Sequence, residues 1–465
     1  MNLLELTNSI SGYIWGWPMI ILLLGTHIFL TIRLKFPQRK IFTAIRLSIK
    51  KDKDSEGDVS QFAALATSLA ATIGTGNIVG VATAVSLGGP GAVLWCWLTG
   101  IFGIATKYGE GLLAIKYRVK TSDGRMLGGP MYALEKGLNL KWLAVLFAIF
   151  ASIASFGIGN AVQANAISEN VSLLLHDVMG PEKSRMLVGV IIAVLVGVVI
   201  LGGVKSIAKI CSAFVPVMAL LYVVGCIYIL GVNHAYVGSA IRLICSEAFS
   251  LKAAVGGTTG TVLMVAARYG IARGLFSNES GMGSAPIVAA AAQTRNPVRQ
   301  ALVSSTGTFW DTVVICAITG IVITTSIIAH PNIDYQDGGL LTKEAFATIP
   351  YVGTPILTFG ILTFAFSTIL GWSYYGERSM EYLFGKRSII LYRIAWVLLT
   401  YVGSVMALDL VWNIADIMNA LMAIPNLVSL LLLSKVIAAE TQHYLWEGNL
   451  DEEDREKETH PQPSL

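Results

Sequence analysis

Eleven long apolar segments dominate this chain; ten are close to the length that a helix needs to cross a lipid bilayer, and the seventh is a longer, broken run. A spanning helix takes about 20 consecutive apolar residues. None of the segments alternates apolar and polar residues with a period of two, which is the pattern of a membrane β-barrel strand. The sequence therefore predicts an all-α integral membrane protein. The segments cover residues 14–32, 62–87, 91–115, 142–168, 186–204, 210–233, 253–294, 301–329, 352–376, 388–408 and 410–434.

The balance of residue types agrees with a chain that is dissolved in lipid. Hydrophobic residues make up 54% of the sequence and charged residues 13%, whereas a soluble domain carries about 25% charged residues. The net charge of +4 is too small and too scattered to indicate a nucleic-acid partner. The five cysteines form no CxxC pair and no metal-ligand spacing with the six histidines, so we interpret them as structural.

Lysine and arginine are distributed unequally between alternate loops. The loop after the first segment and every second loop from there together hold 21 lysines and arginines, whereas the other loops hold 5. The positive-inside rule places the richer set in the cytoplasm. We therefore predict a multi-pass protein of the plasma (inner) membrane, with its N-terminus outside and its C-terminus in the cytoplasm.

Two segments contain residues that do not suit an uninterrupted membrane helix. The second segment reads IGTGNI at residues 73–78, and the seventh has four glycines and three charges within residues 268–283. Unwound backbone cannot face lipid, so it must line protein or a wet cavity. For either segment alone, glycine-mediated helix packing is the alternative explanation.

The two interrupted segments hold matching places, because each is the first of five helices in its half of the chain. Repeats of five helices have opposite orientations, and paired broken helices in inverted repeats mark the central site of a transporter. A half-helix that starts near Thr75 offers N–H groups to a carboxylate. The half-helix that ends near Ile73 offers carbonyl oxygens to a cation such as Na⁺.

Several motifs of this chain resemble those of a known family. Residues 88–97 read GGPGAVLWCW, which resembles the GGxGAxFWMW element of the alanine or glycine:cation symporter family, the sodium:alanine symporters. The departures are Leu94 and Cys96, each apolar for apolar. Residues 74–78, 128–132 and 273–283 and the pair Asp311-Thr312 also resemble that family, so the similarity covers essentially the whole chain.

The resemblance implies a LeuT-type fold, in which two inverted five-helix repeats follow one extra N-terminal helix, giving eleven transmembrane helices. The extra helix and its basic cytoplasmic loop would occupy residues 1–58, the transporter core 59–435 and the cytoplasmic tail 436–465. Within the core, the repeats would cover residues 59–240 and 253–435, with boundaries good to a few residues.

The same resemblance implies sodium-coupled symport of alanine or glycine into the cell by alternating access. Na⁺ would be the coupling ion, and no organic cofactor is expected. A proton-coupled or glutamine-type amino-acid transporter of the same fold is the alternative.

Substrate contacts also follow from the resemblance. Backbone N–H groups of Thr75 and Gly76 should bind the substrate carboxylate. Asn77 either reaches substrate or ion, or makes a helix-packing hydrogen bond. Gln163 is expected at the substrate amino group, with an interhelical structural bond as the rival interpretation. The other predicted contacts are Phe276, Asn278, Gly281, Met282 and Trp372.

The predicted sodium ligands are the carbonyl oxygens of Ala70 and Ile73 and the hydroxyl groups of Ser367 and Thr368. Oxygen ligands from broken backbone and from hydroxyl groups suit a small hard cation. The alternative for both hydroxyl groups is a hydrogen bond to a carbonyl of their own helix, which is common in membranes.

Other charged residues at membrane depth are given less specific roles. Asp311 fits an ion or proton role, and a structural partnership with Arg268 or Arg273 fits equally well. Arg273 and Glu279 are expected to form gates or internal ion pairs. The Lys107–Glu110 pair, three residues apart near a helix end, is expected to lie at the membrane interface.

Two other classes of membrane protein compete with a transporter. An ion channel needs rings of carbonyl groups or charges around an axis, and no filter-like sequence is present. A membrane-embedded enzyme needs catalytic residues, but the chain has no nucleophile–base motif, metal-ligand cluster or GxxxxGK[ST] sequence. The sequence therefore favours a transporter without enzymatic activity.

Overall fold

The computed structural model describes residues 3–454 except 51, 53–54, 176–178, 250–260, 334–337 and 407–408. The described residues are almost wholly helical, which confirms the predicted all-α class. Their one sheet is a short antiparallel pair, β1 (Val119–Lys120) and β2 (Met126–Leu127).

The helices in the first part of the chain are α1 (Leu3–Ile14), α2 (Trp17–Arg33), α3 (Ile41–Ile49), α4 (Gln61–Thr72), α5 (Val79–Gly88), α6 (Ala92–Lys116), α7 (Pro130–Tyr132), α8 (Lys141–Phe156), α9 (Val162–Leu174), α10 (Pro181–Leu201), α11 (Gly203–Val232) and α12 (His234–Ala248). Those in the second part are α13 (Thr261–Asn278), α14 (Ala285–Ala289), α15 (Pro297–Thr308), α16 (Ala317–Ala329), α17 (Gly338–Ala347), α18 (Gly353–Phe384), α19 (Ser388–Val405), α20 (Asp409–Leu432) and α21 (Ser434–Glu440). Tighter 3-10 turns occur at Pro37–Lys40 and Thr75–Asn77. Wider π-helical turns occur at Ala133–Gly137, Gly157–Ala161, Phe309–Cys316 and Thr441–Trp446.

Among the described residues, eight helices are long and apolar enough to cross a membrane, and the bent pair α4–α5 adds a ninth. These nine coincide with nine of the predicted apolar segments, so a multi-pass membrane protein is confirmed. The third predicted segment is helical as α6, and the seventh contains α13 and α14, while its residues 253–260 lie outside the described residues. Helices α6 and α13 are less apolar than the other nine spans. The total of eleven spans stays a prediction.

The lower hydropathy of α6 has a structural cause. This helix packs along α13 and along α15. The approach is close, since a Cβ added at Gly274 would lie 2.1 Å from the Oγ1 of Thr99, and one at Gly111 would lie 2.8 Å from the Cβ of Ser304. A helix that is covered by protein does not need an apolar surface, so it can carry polar residues at membrane depth.

The predicted break in the second segment is present. Helix α4 runs from Gln61 to Thr72, and the Oγ of the preceding Ser60 caps it by accepting a hydrogen bond from Ala63 N at 3.2 Å. The backbone is extended at Ile73 and Gly74, turns tightly over Thr75–Asn77 and continues as α5 at 62° to α4. The Oδ1 of Asn77 accepts a hydrogen bond from Gly74 N at 2.8 Å, which holds the turn.

The break in the seventh segment lies at the C-terminal end of the predicted stretch. Helix α13 continues without interruption through Phe276 to Asn278, and the break occupies residues 279–284 before α14. Backbone φ angles are +53° at Glu279, +89° at Gly281 and +87° at Gly283. Glycine adopts such angles at little steric cost, which explains why two glycines stand here.

The start of the second segment and the end of the seventh are joined at one end of the bundle. Val59 N donates to Ala291 O at 3.1 Å, and Gln293 N donates to Val59 O at 2.8 Å. The guanidinium of Arg118 donates to the carbonyl oxygens of Ala290 and Ala292 at 3.2 and 2.9 Å. Backbone pairing therefore ties the two broken segments together at this end.

The C-terminal segment folds back on the same end of the bundle. Asn296 Nδ2 donates to Leu450 O at 3.0 Å. The buried Arg299 pairs with Asp52 at 3.0 Å and with Asp451 at 2.6 Å. The hydrogen bond from Arg299 lowers the pKa of Asp451 below its usual value. The tail is thus packed on the bundle as far as residue 454.

Candidate functional site

A small cavity lies between the two breaks. Its volume is about 20 Å³, which is room for about one water molecule. Five residues predicted from sequence line it: Gly76, Gln163, Phe276, Thr368 and Trp372. The remaining lining residues are Ala71, Thr72, Gly74, Ile158, Ser277, Glu279 and Asn419.

A larger vestibule of about 470 Å³ adjoins this cavity. Thr75, Gly76 and Phe276 lie at its inner end, and Arg273 is on its wall. Because Gly76 and Phe276 line both spaces, they form the partition between them. The ring of Phe276 is steadied by an edge-on contact with the ring of Trp15, with centroids 6.4 Å apart. The small cavity is therefore closed off from the vestibule by one side chain and one stretch of backbone.

The turn at Thr75–Asn77 presents backbone donors near this partition. As the first residues of the turn, Thr75 and Gly76 have no acceptor for their N–H groups within it. Thr75 Oγ1 donates to Gln163 Oε1 at 3.3 Å. A Cβ at Gly74 would lie 2.7 Å from Thr368 Oγ1, so the broken backbone rests directly against the ninth segment.

Asn77 does not line the cavity but joins the break to the eighth segment. Its Nδ2 donates to Asp311 Oδ1 at 2.7 Å. The other carboxylate oxygen of Asp311 accepts a hydrogen bond from Ser277 Oγ at 3.0 Å. Asp311 thus bridges the second and seventh segments, and the structure shows these contacts instead of the suggested partnership with Arg268 or Arg273.

Of the three amide side chains in the fourth segment, only Gln163 reaches the cavity. The π-helical turn at Gly157–Ala161 precedes it, and Gln163 Nε2 donates to Ile158 O at 3.0 Å. Asn160 and Asn165 instead donate to backbone carbonyl groups of α19, at 2.9 and 3.2 Å. Gln163 Oε1 is consequently the acceptor that this segment offers to a bound group.

The four predicted sodium ligands lie where α4 ends against α18. Ser367 Oγ is 3.2 Å from Ala70 O, and Ile73 follows as extended backbone. The hydroxyl groups of Ser367 and Thr368 also donate to Phe364 O, each at 2.9 Å, so the predicted alternative is present as well. Carbonyl oxygens in the last turn of a helix lack intrahelical donors. This group of oxygens fits a small hard cation.

A model of the sodium:alanine symporter family matches residues 1–459. The chain belongs to this family. It is 50% identical to the sodium/alanine symporter AgcS of Methanococcus maripaludis, over 96% of this chain and 98% of the relative. It is 38% identical to the probable sodium/glutamine symporter GlnT of Bacillus subtilis, over 93% and 89% of the two chains. The family predicted from the motifs is confirmed.

The architecture of this sodium:alanine symporter family member matches that of a solved transporter. The crystal structure of MhsT in complex with L-phenylalanine aligns with a TM-score of 0.59 and 16% identity, covering 83% of this chain and 93% of that chain. Identity this low shows the fold alone. The chain therefore shares the overall fold of this LeuT-type transporter, whereas the five-plus-five layout stays a prediction.

Some cavity residues of this symporter were not singled out from its sequence. Asn419 in α20 is buried, and its Oδ1 has no hydrogen-bond partner among the described residues. An amide at membrane depth is the signal that points to it. Glu279, predicted as a gate or ion-pair residue, lines the cavity and accepts a hydrogen bond from Trp372 Nε1 at 3.1 Å.

Five residues predicted as substrate contacts do not line the small cavity: Thr75, which lines the vestibule, and Asn77, Asn278, Gly281 and Met282. The chain changes direction at Glu279, so the residues after it turn away toward α2 and α20. A Cβ added at Gly281 would meet side chains of those two helices, and Met282 is fully buried in the core. Asn278 Oδ1 accepts a hydrogen bond within the break. A contact of Asn278, Gly281 or Met282 with the substrate stays a prediction.

The predicted interfacial position of the Lys107–Glu110 pair is wrong. Both side chains are at most 2% exposed, and they lie in the middle of the bundle. The reason is that α13 and α15 enclose α6. Glu110 contacts the break of the seventh segment instead, where its Oε1 accepts from Gly281 N at 3.0 Å.

Proposed function

We propose that this chain is a secondary active transporter that carries alanine or glycine into the cell together with Na⁺, by alternating access. The observation that carries the proposal is the meeting of two broken helices at one small cavity beside a larger vestibule. Membership of the sodium:alanine symporter family and the name of a relative that is 50% identical support the same substrate and ion.

The cavity offers donors and acceptors that suit an α-amino acid. The N–H groups of Thr75 and Gly76, at the start of a helical turn, bind the carboxylate. The amide oxygens of Gln163 and Asn419 accept hydrogen bonds from the ammonium group. Support comes from Asn419 Oδ1, which is buried at the cavity and has no partner in the part of the chain that the structure describes.

The size of the cavity favours a small side chain. A space of about 20 Å³ must widen to admit even alanine, and its apolar walls are Ile158, Phe276 and Trp372. Extra bulk in a packed site costs about 1–3 kcal/mol. Alanine or glycine is therefore proposed over the glutamine that the name of one relative indicates.

Sodium is the proposed coupling ion, and Ala70, Ile73, Ser367 and Thr368 are its proposed ligands. The 3.2 Å approach of Ser367 Oγ to Ala70 O supports this site. The backbone at Gly74 lies against Thr368 and also borders the substrate cavity. Occupation of the ion site therefore fixes the same stretch of backbone that binds the substrate, which provides the coupling. A proton-coupled mechanism is the alternative.

The transmembrane layout that we propose has eleven helices. An extra helix and basic loop occupy residues 1–58, two inverted repeats lie at 59–240 and 253–435, and the tail at 436–465 is cytoplasmic. The matched positions of the broken pairs α4–α5 and α13–α14 support the repeats. The excess of lysine and arginine in alternate loops supports a location in the plasma (inner) membrane with the N-terminus outside.

A transporter fits the two spaces better than a channel does. A channel needs a continuous pore, whereas the vestibule ends at Gly76 and Phe276, and the space beyond them holds about one water. A solute would therefore cross by alternating access, in which the site opens to one side of the membrane at a time. No enzymatic activity is proposed.

Binding of labelled alanine to the purified protein in detergent tests the proposal. Binding should increase with Na⁺ concentration and should be absent when K⁺ replaces Na⁺. Unlabelled glycine should compete well and glutamine poorly. Binding that is independent of Na⁺ would refute the coupling ion, and stronger competition by glutamine than by glycine would refute the small substrate.

A further inference from the structure

Four titratable side chains lie together between the third segment and the break of the seventh. They are His27 of α2, Lys107 and Glu110 of α6, and Glu279 of the break, and none is more than 5% exposed. Lys107 is near enough to interact electrostatically with each of the other three. The proposed transport mechanism uses none of these side chains.

Glu110 supports the unwound backbone of the break. Its Oε1 accepts hydrogen bonds from Gly281 N and Gly283 N, both at 3.0 Å, and from Asn426 Nδ2 at 2.7 Å. Asn426 Nδ2 also donates to Gly281 O at 2.8 Å. Buried N–H groups need an acceptor, so this carboxylate replaces those that the helix lost where it unwinds. The conformation of the break consequently depends on Glu110.

Several polar atoms in this region have no hydrogen-bond partner among the residues that the structure describes. They are His27 Nε2, Lys107 Nζ, Glu110 Oε2 and Asn278 Nδ2. His27 is close to the break, because a Cβ added at Gly281 would lie 3.6 Å from its Cε1. Buried polar atoms are nearly always satisfied, and water fills such gaps where several polar groups converge. Water-bridged donors and acceptors of this kind can hold and exchange a proton.

The charges of the cluster do not balance without such a proton. Lys107 carries one positive charge, whereas Glu110 and Glu279 carry two negative charges, and His27 is neutral unless it is protonated. The other titratable groups that face these carboxylates add no cation, since they are Asp311 of the eighth segment and Tyr375 of α18. Unbalanced charge in a membrane interior is costly. One added proton makes the cluster neutral.

We propose that His27, Lys107, Glu110 and Glu279 form a proton-binding site. One proton held there keeps the break hydrogen-bonded to Glu110. This inference rests on the proposed transport function, because the break borders the substrate cavity through Glu279. Binding of alanine with Na⁺ favours the break in its hydrogen-bonded position on Glu110, and the site takes up the proton at the same time. Loss of the proton adds a negative charge beside Glu110, and the break then loses its hydrogen bonds to Glu110.

Alanine uptake at a fixed Na⁺ gradient, with equal pH on both sides of reconstituted vesicles, tests the site. The competent form carries the proton, so uptake should fall as pH rises, by up to about tenfold per pH unit beyond the midpoint. Glu279→Gln keeps the shape of the side chain and makes it permanently neutral, so it should abolish this fall. The control Glu182→Gln, at an exposed acid far along the chain, should keep the wild-type profile.

A second measurement needs only the wild-type chain. Calorimetry of alanine binding in two buffers of different ionisation enthalpy should show net proton uptake. This measurement tests the proton-binding site even if the Glu279→Gln variant does not fold. A wild type with no proton uptake and a flat pH profile would overturn the site. So would a Glu279→Gln variant that transports with the wild-type profile. A wild type without Na⁺-driven alanine uptake at any pH would instead refute the proposed function.

Discussion

At the scale of single residues, Thr368 combines two predicted roles. Its hydroxyl donates to Phe364 O within its own helix at 2.9 Å and lies against the broken backbone at Gly74. A hydroxyl oxygen can bind a cation while its proton stays in such a bond, because its lone pairs are free. The intrahelical bond is therefore compatible with the proposed sodium site.

Replacing Thr368 with alanine should raise the Na⁺ concentration for half-maximal uptake by about tenfold or more, since a contact with a charged group contributes about 1.5–3 kcal/mol. The matched control is Thr363→Ala on the same helix, whose hydroxyl bonds only to carbonyl groups of that helix. Na⁺ titrations of alanine uptake make the measurement. An unchanged Na⁺ requirement in Thr368→Ala would remove this residue from the ion site.

Two further side chains test which residues form the substrate wall. Ile158→Ala enlarges the cavity, so larger neutral amino acids should compete better with alanine, by about tenfold for each 1.4 kcal/mol of clash relieved. Met282→Ala removes similar bulk outside the cavity, so it should cost about 2–5 kcal/mol of stability and leave selectivity unchanged. Competition by unlabelled amino acids distinguishes the two. A selectivity change in Met282→Ala alone would restore Met282 to the wall.

At the scale of elements, the broken second segment depends on a close approach to α18. A Cβ added at Gly74 would lie 2.7 Å from Thr368 Oγ1, whereas one at Gly80, in the next half-helix, would meet nothing within 4 Å. Gly74→Ala should therefore weaken both Na⁺ and alanine binding, roughly tenfold to a hundredfold for about 1–3 kcal/mol of overpacking. Gly80→Ala should have little effect. Equal binding by the two variants would show that this contact does not shape the site.

The sequence was informative about elements because their causes are local. Apolar runs of spanning length and the glycines of both breaks can be identified residue by residue, and so can Gly76, Gln163, Phe276 and Trp372 at the cavity. The direction of the chain after Glu279 could not be predicted, since a positive φ angle at a glutamate leaves no mark in the sequence. After that turn, Gly281 and Met282 lie outside the cavity.

The sequence also could not show which charged residues are enclosed by neighbouring helices. Hydropathy does not distinguish a helix that faces lipid from one enclosed by protein, so Lys107 and Glu110 were placed at the interface. Asn419 was missed for a related reason. Asn419 is one of three asparagines in its apolar run, and the sequence does not show which of them borders a cavity.

At the scale of the whole molecule, orientation can be tested by cysteine labelling. Cys245 is exposed and the other four cysteines are buried. A Cys245→Ser variant should therefore react little with a thiol label, and introduced cysteines can be tested in it. The positive-inside rule predicts that Lys120→Cys is labelled only from the cytoplasmic side and Lys183→Cys only from outside. Both lysines are exposed in the structure. The reverse pattern would invert the orientation of the molecule and place the tail outside.

Transport itself gives the most direct test of sodium-coupled uptake. The full chain is reconstituted into vesicles, and labelled alanine is followed with Na⁺ outside and K⁺ inside, with equal Na⁺ on both sides, and with K⁺ alone. The account predicts that alanine accumulates above its external concentration only with the inward Na⁺ gradient, and that an ionophore which dissipates the gradient releases it. Equal uptake in K⁺, or accumulation driven as well by a proton gradient without Na⁺, would contradict the account.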